Sequence, residues 1–256
     1  MSLGGSVQQV DRSFIGAGKV YAKIYGSSDE LIHLGNIDEF NLTYEQETKK
    51  NPNYMGGGGV RNTLTRITSV NAVVGMYDLT PENIALVTQG ANKYHDSVEI
   101  KDEVCTSGGV IGESISFETL PDLSKPVTIK LPDDTELKVG IDYEINKYGI
   151  VTRSNKVTSA GIKASYTSLN TVDIEMLLSN SPTLRLEIQG LNEAQNGEPY
   201  KLIAYKVKFG VTQNFAVFGQ EYAKLSATIE LLADDFIQSE NISKFCYMKA
   251  ENKNGK

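Results

Sequence analysis

Apolar residues recur at every second position over much of this chain, and that period permits little except β-sheet. From Lys19 to Tyr25, Val20, Ala22 and Ile24 fall on one face while Lys19, Tyr21, Lys23 and Tyr25 take the other, because successive side chains of a strand point to opposite sides. Ile37 to Thr48 repeats the pattern, setting Phe40, Leu42 and Tyr44 against Glu39, Asn41, Thr43, Glu45 and Glu47. A sheet with one packed and one wet face is expected to read this way. Later runs follow suit: Val172, Ile174 and Met176; Leu184, Leu186 and Ile188; Ile203, Tyr205, Val207 and Phe209; Leu225, Ala227, Ile229 and Leu231. In the third of these, Ala204, Lys206 and Lys208 are assigned to the wet side.

One helix interrupts the strands, at Pro81 to Gln89. Thr80 can cap its free amides, Pro81 suits the first helical position, Glu82 meets the positive end of the dipole and Gly90 can supply a left-handed stop. Leu79 and Ile84 stand at staple spacing, with Val87 and Thr88 beside Ile84 on the inward side.

Punctuation divides the rest. Lys49-Lys50-Asn51-Pro52-Asn53-Tyr54-Met55-Gly56-Gly57-Gly58-Gly59 reads as a loop that is hard to order alone and cheap to remodel against a neighbour. Short strands separated by turns, among them Val127–Leu131, Tyr143–Ile145, Gly149–Thr152 and Ile162–Tyr166, read as an inserted β meander or small subdomain over 113–168. The core is then discontinuous, 13–112 with 169–240, and 241–256 is expected to be a frayed tail. The fold class is mainly β, sandwich-like or barrel-like, with one short flanking helix and the insert.

Composition narrows the function classes. A chain of 256 residues can bury a core without disulfides or metals. Its net charge of -7 and pI near 5.0 disfavour binding to phosphate backbones or anionic lipid. Cys105 and Cys246 have no CxxC partners, so neither a disulfide framework nor a zinc site has its ligands. No run approaches the ~18 apolar residues of a membrane span, and Met1 to Val10 does not read as a signal peptide. Asn41-Leu42-Thr43 and Asn241-Ile242-Ser243 are chance sequons in a chain of that kind.

No cluster supports catalysis or a cofactor. Gly16-Ala17-Gly18-Lys19 has Ser13 where a phosphate loop needs glycine and Val20 where it needs Ser or Thr. His33 and His95 are the only histidines and neither has a nucleophile or second ligand nearby in sequence. Asp133-Asp134 and Asp234-Asp235 read as solvated carboxylates, and the glycines at 56–59 lack a following helix to hold an anion.

The strand opening at Gly18-Lys19-Val20-Tyr21, the run Leu34 to Leu42 continuing through Glu45-Gln46-Glu47-Thr48, the Gly-rich loop, the strand from Val60, the capped helix and the late unit Phe209 to Leu232 together resemble the major tail-tube protein of long-tailed, siphovirus-like bacteriophages. The likeness covers roughly 13–93 and 171–235, and the insert departs from the shortest members. The resemblance implies a non-enzymatic subunit that forms rings with itself, usually hexameric. Stacked rings would make a hollow tube in the virion tail, assembled in the host cytoplasm. Tail terminator, tape-measure and baseplate proteins are the implied partners, with DNA as non-specific cargo. An inner tube of a contractile machine and a β-rich baseplate or adhesin module are the alternatives. In such a ring Glu39, Asn41, Thr43, Glu45 and Glu47 are expected to line the lumen. Lys49, Lys50, Asn53, Tyr54, Met55 and Gly56 to Gly59 are expected to contact neighbouring subunits.

Overall fold

A computed structural model describes residues 13–251; the expectations for Met1 to Val10 and for the last five residues lie outside that range. The chain divides into two compact units, one running up to Ala91 and resuming at Ile174, the other Asn92–Asp173. In chain order come β1 (Gly16–Ile24), β2 (Ile32–His33), β3 (Ile37–Pro52), β4 (Val60–Met76) and α1 (Pro81–Thr88). They are followed by β5 (Ala91–His95), β6 (Glu99–Cys105), β7 (Ser114–Ser116), β8 (Thr128–Lys130), β9 (Tyr143–Asn146), β10 (Gly149–Thr152), β11 (Ile162–Thr167) and β12 (Thr171–Glu175). The last strands are β13 (Leu184–Asn192), β14 (Glu198–Phe209), β15 (Leu225–Leu231) and β16 (Cys246–Ala250). The described residues are mainly β, in several antiparallel sheets, with one α-helix among them.

The first unit is one antiparallel sheet in the order β2-β1-β13-β14-β15-β4-β3, with β16 also on β14. Its inward residues form a single core that includes Val74, Met76, Leu186, Val207, Ile229 and, from the helix, Val87. β15 keeps the expected alternation throughout, with Leu225, Ala227, Ile229 and Leu231 buried and the residues between them exposed. β14 does not. Leu184 pairs with Val207 but Leu186 with Ala204, so one extra residue bulges from β14. That bulge flips the faces: Val207 and Phe209 point into the core, whereas below it Ala204 takes the inward place, fully buried.

Thr80 Oγ1 accepts the Asn83 amide at 3.2 Å, as expected of the cap. The left-handed stop is Gln89 (φ 52) rather than Gly90. Gly90 is needed for a different reason, since a Cβ there would run into the Glu175 carbonyl. The C-terminal stretch is not frayed as far as Ala250, because β16 pairs with Tyr200–Ala204 of β14.

The second unit holds two three-stranded sheets, β7-β10-β9 and β6-β11-β8, around its own core of Ile115, Ile129, Ile150, Ile162 and Ala164. It is wider than the stretch 113–168, because β6 pairs along β11 and so belongs with the insert. Asp142, with a side chain only 1% exposed, ties one end together. Its carboxylate accepts from Lys138 N, Ser154 Oγ and Lys156 Nζ, each at 3.0 Å.

Candidate assembly surface

β3 and β4 pair along nearly their whole length, from Ile37 opposite Met76 to Pro52 opposite Val60. β4 is held by β15 only at Asn71–Met76, and among the described residues no strand pairs with the outer edge of β3. Beyond Glu45 and Ser69 the two strands therefore run on as a two-stranded ribbon, about 25 Å long at ~3.3 Å per residue. Residues 43–52 and 60–68 are exposed throughout. A lone hairpin is marginal in water, and among the described residues nothing else covers this one.

The pairing register separates its two faces. Tyr44 opposite Val70, Gln46 opposite Ile67, Thr48 opposite Thr65 and Pro52 opposite Val60 make a face that is neutral apart from Lys50. It continues the core-facing rows of Phe40 with Val74 and Leu42 with Ala72. Tyr44 was expected to pack inward with Phe40 and Leu42, yet it is 72% exposed because none of the described residues covers it. The opposite face carries Glu45 with Ser69, Glu47 with Arg66 and Lys49 with Leu64. Thr68 is unmatched between Ser69 and Ile67, a bulge that keeps β3 in phase while twisting β4.

The five residues expected to line a lumen do share one side of β3, but they are not equivalent. Glu39 is taken: Lys224 Nζ lies 2.8 Å from its Oε1 and 2.8 Å from Asp38 Oδ2. Those hydrogen bonds, first to Asp38 and then to Glu39, push the Lys224 ammonium well above its ordinary range. Asn41 donates to Glu39 Oε2 at 3.2 Å, and Thr43 Oγ1 donates to Asn71 O at 3.5 Å. Glu45 and Glu47 stand on the ribbon, with Lys49 Nζ 3.6 Å from Glu47. No sequence signal linked Lys224 to this strand; the pair is brought together across 186 residues of chain.

The expected Lys49–Gly59 loop is shorter than its composition suggested. Lys49 and Lys50 belong to β3, and the turn is 53–59. Asn53 organises it. Its amide donates to Gly59 O at 3.0 Å, its Nδ2 to Gly56 O and Gly58 O, and its Oδ1 accepts from Met55 N. All four glycines have positive φ, between 69° and 97°, which is why a run of glycine stands there. Tyr54 and Met55 project from the tip, 87% and 82% exposed.

Other polar groups are held locally. Burial first, then Glu103 beside it, pushes the Cys105 thiol up to about 12, so it stays protonated at neutral pH. His95 Nε2 lies 2.8 Å from Asp173 Oδ2. Among the described residues no three His, Cys, Asp or Glu side chains converge on a metal-sized site, and no helix is long and apolar enough to cross a membrane.

No protein of curated function matches this chain. Residues 13–249 match the family described as protein of unknown function UCP028589, and the chain belongs to that family.

Proposed function

We propose that this chain is the structural subunit of a phage tail tube, assembling with copies of itself into rings, six-membered by the family resemblance, that stack around a DNA-conducting lumen. The observation that carries the reading is the β3–β4 arm. Its neutral face extends the core-facing side of a sheet about 25 Å past the last element that covers it. An uncovered face and two unpaired edges are an aggregation liability in a monomer and an interface in an assembly. Covering that face with a neighbour turns Glu45 and Glu47 the other way, toward open space, which suits a lumen wall that must not grip phosphate. Tail terminator, tape-measure and baseplate proteins would then meet the tube at its ends.

Negative-stain electron microscopy of the purified protein, with light scattering across a concentration series, tests the proposal. Rings or tubes that grow with concentration are expected. A monomer at every concentration overturns it, and solid filaments without a lumen would replace the tube with another kind of polymer.

A further inference from the structure

The arm is charged differently from the rest of the chain. Thr48–Thr65, its outer part, contains Lys49, Lys50 and Arg61 and no Asp or Glu, in a protein whose net charge is -7. Arg61 falls at a bulge between Val60 and Asn62, and no carboxylate lies within ion-pair distance of it or of Lys50 among the described residues. Beside these cations stand the exposed Tyr54 and Met55. The tip is therefore cationic and apolar at once.

One segment of the same unit has the opposite character. Leu232–Ser243, between β15 and β16, contains Asp234, Asp235 and Glu240 and no Lys or Arg. It presents Phe236 at 88% and Ile242 at 53% exposure. Asp234 is engaged, accepting from Tyr25 OH at 2.9 Å and from Phe236 N at 3.1 Å. That anchors the loop and leaves Asp235 and Glu240 without an ion pair among the described residues. The segment leaves the sheet just after Glu230, which pairs with Asn71 at the root of the arm. A tip about 25 Å farther along the ribbon, with its aromatic in solvent, does not meet this loop within one chain.

We infer that the arm tip of one copy docks on the Leu232–Ser243 loop of a second copy, with Lys49, Lys50 and Arg61 meeting Asp235 and Glu240 around Tyr54, Met55 and Phe236. The inference rests on the self-assembly reading and names its contact. Because tip and loop are different surfaces of one subunit, the contact can run head-to-tail and so propagate into a ring or a stack. Complementary rim charges accelerate encounter and make it salt-sensitive. A duplex is the weaker partner for this arm, since the other charges of the chain repel phosphate.

Two charge reversals test it: Lys49→Glu with Lys50→Glu and Arg61→Glu at the tip, and Asp235→Lys with Glu240→Lys at the loop. Each variant alone should keep the melting temperature of the parent and need at least tenfold more protein to assemble. An equimolar mixture of the two should assemble, because each tip then meets an opposite loop, and so should one chain carrying both sets. The neutral pair Lys50→Gln, Arg61→Gln reads the same loss if a reversal fails to fold. A tip reversal that assembles normally, or a loss that neither the mixture nor the double set restores, overturns the inference while leaving the tube reading standing. Retention of duplex DNA by the parent at 150 mM salt, lost in the tip reversal with assembly unchanged, makes the arm a nucleic-acid ribbon and also overturns it. A parent that never assembles fails at the earlier step.

Discussion

Lys224 reaches its two carboxylates by lying directly across Gly75. A Cβ added at residue 75 would overlap Lys224 Cε and crowd Asp38 Oδ1, so the missing side chain on β4 is what lets an ammonium from just before β15 bridge to Asp38 and Glu39 at the start of β3. The clamp sits at the bulge where β3 first joins β4, Asp38 being the unmatched residue between Ile37 and Glu39. Gly75→Ala should therefore push the flexible Lys224 end off its two carboxylates and cost up to about 1 kcal/mol, read as a shifted midpoint in urea. In Lys224→Met, which removes the charge, Gly75→Ala should cost less, since no ion pair is left to lose. An alanine at 75 with an unchanged midpoint would show that Lys224 can leave without loss.

The helix makes a second contact that its capping pattern does not announce. Asn83 is 4% exposed, and its Nδ2 donates to Leu34 O at 2.9 Å and Asp78 O at 2.8 Å. Asn83→Ala leaves two carbonyls without that donor and should destabilise the first unit by about 1–3 kcal/mol. Thr80→Ala should cost about 1 kcal/mol. Ile84→Asp should be damaging and Val87→Asp worse, because Val87 is fully buried whereas Ile84 is half-buried. Thermal melts of the four variants check the order.

Stability of the second unit should depend on acid through Asp142. The Lys138 amide, then the Lys156 ammonium and Ser154 hydroxyl, hold its carboxyl below the usual carboxylate range. A folded value below the unfolded one, about 3.9, stabilises fully above that unfolded value and is lost as pH falls through the folded one. Hydrogen-exchange protection over 138–156, taken relative to the intrinsic exchange rate at each pH, should accordingly be lower at pH 3 than at pH 7. In Asp142→Asn the same comparison should be flatter, with protection already reduced at pH 7; a variant with the parent's pH response would assign the effect to other acids.

Strand identity was legible wherever both neighbours of a strand are regular. Leu225–Leu231 alternates in sequence and in burial because β15 lies between β14 and β4 without a bulge at either seam. Alternation alone puts Ala204 on the wet face, but a bulge adds one residue and exchanges the faces, and nothing in Ile203 to Phe209 marks the place. β3 was expected to end near Thr48 because Lys-Lys-Asn-Pro reads as a turn; cross-strand pairing carries it to Pro52, at a strand end where a missing amide donor is tolerated. The Lys224 clamp was invisible for another reason: a contact 186 residues apart has no local signature. The loop glycines were recognised as a break between strands, but the side chain that arranges them, Asn53, shows its role only through its hydrogen bonds.

The two ribbon glutamates make the last test, because Glu45 and Glu47 are all that remains of the expected acidic stripe once Glu39 is bound to Lys224. Both are exposed, so Glu45→Lys with Glu47→Lys should leave the monomer's stability within about 0.5 kcal/mol. The reversal changes the arm's charge by four and removes the acids opposite Arg66 and beside Lys49. If this face lines a lumen, six copies present a ring of new cations to any duplex inside, and each phosphate contact releases counterions and adds affinity that falls steeply with salt. Assembled variant particles should then retain short duplex DNA on a filter at 50 mM salt and release it at several hundred millimolar, whereas parent particles retain none at either. Equal retention by both would place the glutamates away from the channel, and a variant that no longer assembles would place them in the subunit contact instead.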